Sequence, residues 1–588
     1  MKMNSLFMML PLMLHSCSDS DDGNIGSVPT EIIAPKVDVS AQMSLSLSTN
    51  KSVYAPGETV SFSVEGSLPA GARVRYRNGS DVVQEEQLGS SAWTWAPPQT
   101  DYTGYLVDVY TSDASGETIY GTIAVDVSSD WARFPRYGFV ATYDAGKSSA
   151  TIAEEMAFLN RLHINGVQFY DWHYKHQWPL GGTPGNLYET YTDIANREVS
   201  TRVVKDYISQ QHAYGMKAMF YNLCYGALDD AQQDGVSESW GLFTNTRRSK
   251  DKLTMPSAWK SDIYLLDPSN KDWQAYLADR NDEVYASFDF DGYHIDQVGD
   301  RGIVYDYYGS QLNLPHGFAS FINAMKGRQQ DKRLVMNAVS SYGASQIGAT
   351  GNTDFMYTEM WGNEDKYKDI RDVINNNRQY SNGKNTVIAA YLNYNYDGSY
   401  FNEPGVLLTD AVIFALGGAH LELGDHMLCH EYFANDRLKM SESLRTALVS
   451  YYDFMVAYQN LLRDGGQETT AELASGDGTV SIGAWPPKLQ TVTSYAKSLD
   501  GRQVVHLLNF RQANSLSWRD MDGDMPEPQL LSNLPLRMRA TGVKKVWVAS
   551  PDSLGGAPQE LNFQQDGGFV NFTLPSLKYW TMVVLETN

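Results

Sequence analysis

Two carboxylates occupy matching places in the sequence, because Asp296 and Glu359 each lie near the end of a short apolar run, DGYHIDQV and DFMYTEMW. Carboxyl groups that face each other across a cleft can cleave an acetal: one attacks the anomeric carbon or activates water, and the other protonates the leaving oxygen. This chemistry uses no cofactor and no metal ion, and we expect neither. Each acid alone could instead bind a structural water, cap a helix or pair with an arginine.

The elements that must position this pair are eight short apolar runs separated by helical stretches. Eight such runs predict a (β/α)₈ barrel, in which the strand ends at one rim carry the chemistry. The pattern therefore places both carboxylates at the same rim. The eight runs are Gly138–Asp144, Ile164–Tyr174, Met216–Tyr225, Asp291–Val298, Arg333–Ser341, Asp354–Trp361, Thr386–Tyr394 and Gly418–Asp425.

Aromatic and polar residues crowd the ends of the same runs. Rings that only filled a core would repeat with the period of a strand or a helix, so this crowding favours stacking platforms for sugar rings. These candidates are Tyr170, Asp171, Trp172, His173, Tyr221, Asn222 and Trp361. A second set could donate hydrogen bonds to sugar hydroxyls or accept them, although a satisfied polar layer inside the barrel explains it equally well. This set is Asn337, Asn393, His420 and Glu422.

The charge of the chain narrows the class of ligand. The 588 residues carry a formal net charge of −23, which opposes binding to nucleic acid, whereas Tyr (37) and Trp (13) are abundant. A balance of this kind suits neutral rings such as sugars. Three cysteines are too few for a disulfide scaffold or a cysteine-based zinc site, although a single bridge between Cys224 and Cys429 is conceivable. The sequence contains no phosphate-binding loop, HExxH zinc motif or EF-hand.

The first residues predict export and lipid anchoring. Lys2 precedes an apolar stretch from Leu6 to Leu14 that is too short to span a bilayer. The following Leu-His-Ser-Cys resembles a bacterial lipobox, which implies lipidation of Cys17 and attachment to the outer membrane, with the protein facing the cell surface. An ordinary signal peptide with an incidental cysteine is the alternative.

Composition shifts divide the rest of the chain. Residues 1–17 form the predicted signal, and the polar residues 18–40 predict a flexible tether. Alternating runs at 41–130 predict an immunoglobulin-like β-sandwich, residues 131–470 the barrel, and residues 471–588 an antiparallel β domain. Helical periodicity is clearest in four segments, the last with Ser441 as its N-cap. The segments are Thr151–Leu162, Lys271–Ser287, Tyr367–Tyr380 and Ser441–Arg463.

Several longer strings resemble glycoside hydrolase family 66, the dextranases and their cyclising relatives. The strings are YDWHYKHQWPL, LDPSN, FDGYHIDQVGDRG, YTEMWG and GGAHLELGDHML. The resemblance covers roughly residues 40 to 588 and implies a retaining mechanism on α-1,6-linked glucan. It also implies that Asp296 is the nucleophile, that Glu359 is the acid/base, and that Asp171 holds the sugar at the cleavage point.

The resulting hypothesis is a monomeric, endo-acting dextranase that releases isomaltooligosaccharides. The cyclising members of this family look as if they carry a carbohydrate-binding module inserted in the barrel. In this sequence, no interval between the predicted strands can hold a further β module of ~100 residues. Hydrolysis is therefore favoured over formation of cyclic isomaltooligosaccharides. A surface lipoprotein that binds glycan without cleaving it is the alternative from another class.

Overall fold

A computed structural model describes Ile25, residues 29–423, Cys429, His430, residues 437–476, Gly478 and residues 480–587. The predicted lipidation site Cys17 lies outside these residues. No helix within this part of the chain has the length and apolarity needed to cross a membrane.

The chain begins with two β-sheets packed on a shared apolar core. The five-stranded sheet has the order β1-β8-β7-β4-β5, and the three-stranded sheet has the order β2-β3-β6. Val60, Val74 and Val107 are fully buried between them. The strands are β1 (Val39–Ala41), β2 (Ser46–Thr49), β3 (Val60–Glu65), β4 (Arg73–Asn78), β5 (Asp81–Gln87), β6 (Ala92–Trp95), β7 (Thr103–Asp113) and β8 (Gly116–Val127).

A ring of parallel strands follows, and helices connect them. These strands are β9 (Tyr137–Val140), β10 (Gly166–Phe169), β15 (Lys217–Leu223), β19 (Gly292–Asp296), β20 (Arg333–Met336), β21 (Met356–Met360), β22 (Thr386–Ala390), and the consecutive β23 (Ala419–His420) and β24 (Glu422–Leu423). The ring closes because β24 pairs in parallel with β9. A parallel bridge between Asn337 and Tyr357 joins β20 to β21. A Cβ at Gly292 would collide with the carbonyl oxygen of Arg333, so glycine allows β19 and β20 to pair here.

The helices pack around the ring, and side-chain caps fix several of their starts. Asn270 caps the helix that precedes β19, and Ser441 accepts a 3.1 Å hydrogen bond from the backbone N–H of Leu444. The predicted cap at Ser441 is therefore confirmed, although the predicted long helix is divided in two at Tyr458. The helices are α1 (Ser149–Arg161), α2 (Thr201–Ala213), α3 (Lys271–Ser287), α4 (Leu314–Arg328), α5 (Ala344–Ala349), α6 (Tyr367–Tyr380), α7 (Glu403–Ala415), α8 (Glu442–Ala457) and α9 (Gln459–Leu462).

Two intervals between barrel strands carry small sheets. One lies between β10 and α2 and consists of β11 (Gly182–Thr183), β12 (Asn186–Leu187), β13 (Thr190–Thr192) and β14 (Glu198–Ser200). The other lies between β15 and α3 and consists of β16 (Gly226–Ala227), β17 (Lys252–Leu253) and β18 (Ile263–Leu265). Neither interval holds a further two-sheet module.

The C-terminal part is antiparallel apart from one pair, β27 with β28. Its larger sheet has the order β25-β28-β29-β35-β31-β32, and its smaller sheet has the order β26-β30-β34-β33. The strands are β25 (Gln467–Thr469), β26 (Leu473–Ser475), β27 (Ile482–Ala484), β28 (Val492–Leu499), β29 (Arg502–Asn509), β30 (Leu531–Arg539), β31 (Lys545–Ala549), β32 (Gln559–Leu561), β33 (Gln564–Asp566), β34 (Phe569–Leu577) and β35 (Trp580–Glu586).

The prediction of a flexible tether is wrong for residues 29–40, because this segment lies along the C-terminal sheets. Ile33 donates a 2.8 Å backbone hydrogen bond to the hydroxyl of Thr573, and Pro35 forms an antiparallel bridge with Leu561. The polar composition predicted disorder, but the backbone groups of an extended segment can pair with a sheet whatever the side chains are.

Candidate active site

Three neighbouring strands of the barrel bring the two predicted catalytic carboxylates together. Asp296 is the last residue of β19, Asn337 follows β20 directly, and Glu359 lies near the end of β21. Carboxyl ends of parallel strands meet at one rim of a barrel, so these side chains lie side by side. The structure thus gives the amide of Asn337 a place between the two acids.

The Asn337 amide nitrogen bridges the two carboxylates. It lies 2.9 Å from Oδ1 of Asp296 and 2.9 Å from Oε2 of Glu359, and it donates to both. The two facing oxygens therefore cannot be farther apart than twice this distance. Separations between whole carboxyl groups are ~5–5.5 Å in retaining glycosidases and ~6.5–9.5 Å in inverting ones, and facing oxygens this close favour the retaining arrangement.

Two tyrosine hydroxyls also donate hydrogen bonds to the pair. Tyr221, on β15, donates a 2.7 Å hydrogen bond to Oδ2 of Asp296. Tyr391, directly after β22, donates a 2.6 Å hydrogen bond to Oε1 of Glu359. Both tyrosines are buried, so these donors are held in place by packing.

Burial and mutual repulsion separate the acidities of the two carboxyl groups. Burial raises the pKa of Glu359 to about 7, and the negative charge of Asp296 adds to the rise. Burial also raises the pKa of Asp296, but hydrogen bonds from Tyr221 and Asn337 stabilise its carboxylate and oppose the rise. Acid-assisted cleavage by a nucleophile requires one carboxyl group that retains its proton near neutrality beside one that is ionised, and the raised pKa suits Glu359 to the acid role.

Asp171 lies at the same rim, two residues after β10, and is held by a cation. Its left-handed backbone (φ 49°) turns the chain sharply after the strand. Arg197 donates to Oδ2 of Asp171 at 3.3 Å and to Oδ2 of Asp193 at 2.7 Å. Burial raises the pKa of Asp171 to about 7, while the charge of Arg197 opposes the rise.

Aromatic rings line the cleft beside the two acids. The ring of Tyr170 lies 4.4 Å from that of Tyr221, and Trp361 stacks at 4.9 Å on Tyr391. Tyr170 and Trp361 are both half-buried, so neither residue is wholly enclosed. Of the predicted aromatic platforms, these two keep a surface that a sugar could contact.

Trp172 and His173 are not available to a ligand, which corrects their prediction as sugar contacts. Trp172 is completely buried, and its ring packs edge-on against Phe288 at 5.4 Å. His173 is equally buried, with its Nε2 3.0 Å from Nδ1 of His176. The strand period that would identify them as core is broken here by the turn at Asp171.

Asn222, Asn393 and His420 also belong to the interior. The prediction of Asn222 as a sugar contact is therefore wrong, and for Asn393 and His420 the alternative of a satisfied polar layer is the correct one. Asn222 accepts from His176 at 2.8 Å, and His420 lies 2.9 Å from Asp410. Asn393 donates to the backbone and carboxylate of Asp520, at 2.8 and 2.9 Å. The side chain of Glu422 lies outside the described residues.

Sequence reasoning missed Tyr391 and Arg197 as parts of the site. Tyr391 lies within the predicted seventh run. It is a tyrosine next to a strand end, like the predicted site residues Tyr170 and Tyr221, and the same criterion could have found it. Arg197 is 26 residues from Asp171, and no local pattern connects them.

Cys224 and Cys429 are both free and buried, so the conceivable bridge between them is not formed. Across the described residues, no group of three or more His, Cys, Asp or Glu side chains could hold a metal ion.

With the fold and site in place, comparison with known proteins gives the family. The sequence model for glycosyl hydrolase family 66 matches residues 49–584, and the chain belongs to this family. The resemblance derived from the sequence is therefore confirmed. Family membership supports a glycoside hydrolase or a transglycosylase.

Individual relatives carry both activities in their names. The chain is 27% identical to a cycloisomaltooligosaccharide glucanotransferase of Niallia circulans over 711 aligned residues, covering 92% of this chain and 71% of the relative. It is 26% identical to a dextranase of Streptococcus salivarius over 566 residues, covering 83% of this chain and 68% of the relative.

A solved structure is similar along most of the chain. It is a cycloisomaltooligosaccharide glucanotransferase of Paenibacillus sp. in complex with cycloisomaltoheptaose, with a TM-score of 0.83 and 25% identity, covering 92% of this chain and 100% of that one. The multidomain arrangement is thus shared with a family member.

Proposed function

We propose that this protein is a retaining glycoside hydrolase that cleaves α-1,6-glucosidic linkages in dextran. The observation that carries the proposal is the pair Asp296 and Glu359, bridged by the Asn337 amide at 2.9 Å to each. The names of the relatives supply the substrate class, α-1,6-linked glucan and its isomaltooligosaccharides.

In the first step, the proton of Glu359 goes to the glycosidic oxygen while Asp296 attacks the anomeric carbon. The bond to the leaving sugar breaks, and a glycosyl ester of Asp296 forms. Glu359, now a carboxylate, then removes a proton from water as the water oxygen attacks the anomeric carbon. The ester bond breaks, Asp296 is released as a carboxylate, and Glu359 regains its proton.

Asn337 and Tyr221 position the reacting carboxylates during this cycle. Asn337 donates to both carboxylates and therefore keeps the nucleophile and the acid in register. The Tyr221 hydroxyl stabilises the ionised form of Asp296 and holds the carboxylate before attack. Asp171, at the same rim, is proposed to hold hydroxyls of the glucosyl unit whose bond is cleaved, and Tyr170 and Trp361 to contact its neighbours.

We propose hydrolysis rather than cyclisation because this chain is shorter than its cyclising relative. The alignment with the Niallia glucanotransferase runs over 711 residues, more than the 588 of this chain, so the relative has inserted residues opposite gaps here. The longest interval between barrel strands, 224–291, holds only one short 3-10 helix (Glu238–Trp240), a three-stranded sheet and α3. We propose that without an inserted module to hold the chain end, water rather than a distant sugar hydroxyl completes the reaction.

The decisive experiment is a chromatographic time course of products from linear dextran. Early oligomers of intermediate size support an endo-acting dextranase, and early dominance of one small sugar indicates exo attack. If cyclic isomaltooligosaccharides are the main products, the protein is a glucanotransferase and the proposed hydrolase function is wrong. Asp296→Ala and Glu359→Gln should each abolish the reaction while the variants remain folded. Dextran bound but never cleaved by the wild type would favour a glycan-binding lipoprotein.

The location of the enzyme is a separate proposal, based on the Leu-His-Ser-Cys sequence that ends at Cys17. Lipidation of Cys17 would anchor the enzyme in the outer membrane. Metabolic labelling with a radioactive fatty acid, followed by membrane fractionation of wild type and Cys17→Ser, tests it. Unlabelled wild-type protein would contradict lipid anchoring.

A further inference from the structure

A second polar cavity lies between the barrel and the C-terminal sheets. It has a volume of about 280 Å³, close to the lower limit of small-molecule sites at about 300 Å³. Arg371 of α6 forms one wall, and Glu468, Trp485 and Tyr495 form the others. Boundaries between domains are common places for ligand sites, and a cavity of this size holds a ring rather than a macromolecule.

The cavity is connected to the strand of Glu359 through α6. The loop after β21, the strand of Glu359, leads directly into α6, which begins at Tyr367. Arg371 is four residues farther along, or about 6 Å at the ~1.5 Å rise of a helix. An antiparallel bridge between Lys366 and Ser517 ties this loop to the C-terminal part. A polymer that leaves the cleft over this loop and continues along the first turn of α6 would reach the cavity.

The charges in the cavity cancel each other. Glu468 accepts hydrogen bonds from Arg371 at 3.0 Å, from Asn375 at 2.8 Å and from the hydroxyl of Tyr495 at 2.8 Å. An anionic ligand would meet the carboxylate of Glu468, and a cationic ligand would meet the guanidinium of Arg371. The electrostatics therefore favour a neutral ligand with hydroxyl groups.

Trp485 supplies an aromatic wall. It is half-buried, and Tyr495 packs edge-on against it at 6.0 Å between ring centroids, which fixes its orientation. Thr469 and Thr470 are exposed at the mouth and add hydroxyl groups. A fixed aromatic face beside hydroxyl, carboxylate and guanidinium groups is a surface for a sugar ring, whose faces are apolar and whose rim is polar.

We propose that this cavity is a second binding site for a glucosyl unit of an α-glucan chain. The identity of the glucan rests on the proposed function, whereas the neutral, polyhydroxylated character of the ligand rests on the cavity itself. The site retains a polymer on the enzyme between cleavages and contributes nothing to a short substrate that fills only the cleft.

The test uses native gel electrophoresis with and without linear dextran, in the Glu359→Gln background so that the polymer is not degraded. Trp485→Ala should weaken the retardation by dextran about five- to tenfold in apparent Kd, the loss expected for one stacked ring. Thr470→Arg, a surface change that fills the mouth without removing packing, should have the same effect. Tyr380→Ala is the matched control, because Tyr380 is an exposed aromatic residue at the opposite end of α6.

Activity of the otherwise wild-type enzyme supplies the second measurement. Trp485→Ala and Thr470→Arg should raise KM for long dextran and leave the rate on a chromogenic isomaltoside unchanged. Unchanged retardation in both variants, or an equal loss on long and short substrates, would overturn the proposal. If the wild type does not cleave dextran but Trp485→Ala loses the retardation, the second site stands and the proposed hydrolase function fails.

Discussion

The hydroxyl of Tyr391 donates a 2.6 Å hydrogen bond to Oε1 of Glu359. This bond stabilises the carboxylate form and therefore lowers the pKa of Glu359, against burial and the charge of Asp296, which raise it to about 7. An acid catalyst works only while it is protonated. The basic limb of the pH profile should thus report Glu359, and activity should fall as the pH rises through about 7.

Tyr391→Phe should shift this basic limb to higher pH, because the lost hydrogen bond no longer favours the ionised form of Glu359. Tyr221→Phe is the matched variant at the other carboxylate: it removes the 2.7 Å hydrogen bond to Asp296, raises the pKa of the nucleophile and should shift the acidic limb upward instead. Profiles of kcat/KM against pH measure both. Movement of the same limb by both variants would contradict the assignment of roles.

The stereochemistry of the product follows from the amide bridge. Since Asn337 donates to both Asp296 and Glu359 and holds their facing oxygens within twice 2.9 Å of each other, the reaction should proceed through a glycosyl ester and retain the α configuration. NMR of the first-formed product on isomaltooligosaccharides shows the anomer before it equilibrates. A β product formed first would refute the nucleophile role of Asp296.

The sequence predicts the positions of Asp296 and Glu359 well because strand direction alone determines where a residue at a strand end lies. Asp296 closes β19 and Glu359 lies in β21, as the apolar runs indicate. The helices Lys271–Ser287 and Tyr367–Tyr380 have the bounds that their periodicity predicts. These features depend on local pattern and on a rim that all parallel strands share.

The sequence does not determine whether a side chain beyond the end of a strand turns into the core or into the cleft. Trp172 and Trp361 both follow a strand within three residues, yet one is completely buried and the other is half-buried in the cleft. The left-handed turn at Asp171 decides the first case. The contact of Arg197 with Asp171 depends on a loop whose path only the folded chain defines.

This contrast between the two tryptophans can be measured. Trp172→Ala should destabilise the fold by about 3–5 kcal/mol, because it empties a filled core position. Trp361→Ala should cost about 0.5–1.5 kcal/mol, the contribution of its stacked contact with Tyr391, while KM for dextran rises. Thermal unfolding and kinetics on both variants separate the effects. A wild-type KM in Trp361→Ala would remove Trp361 from the substrate cleft.

The last prediction concerns Arg197, which donates to both Asp171 and Asp193 and does not itself reach the catalytic pair in the described contacts. Its charge lowers the pKa of Asp171, which burial raises to about 7. If ionised Asp171 holds the glucosyl hydroxyls, its ionised fraction contributes to the acidic limb of the pH profile together with that of Asp296. Loss of Arg197 raises the pKa of Asp171 and so lowers its ionised fraction at acidic pH.

Arg197→Gln should therefore reduce kcat/KM most strongly at the acidic side of the optimum and move the optimum to higher pH. Arg197→Lys keeps a positive charge near Asp171 and should restore part of the activity at acidic pH, although its single nitrogen replaces the separate Nε and Nη2 with which Arg197 donates to Asp193 and Asp171. Asp171→Asn, which cannot ionise, should lose activity at every pH. A loss in Arg197→Gln that is equally large across the pH range would show that Arg197 only supports the loop structure, because a change in the pKa of Asp171 must act more strongly below that pKa than above it.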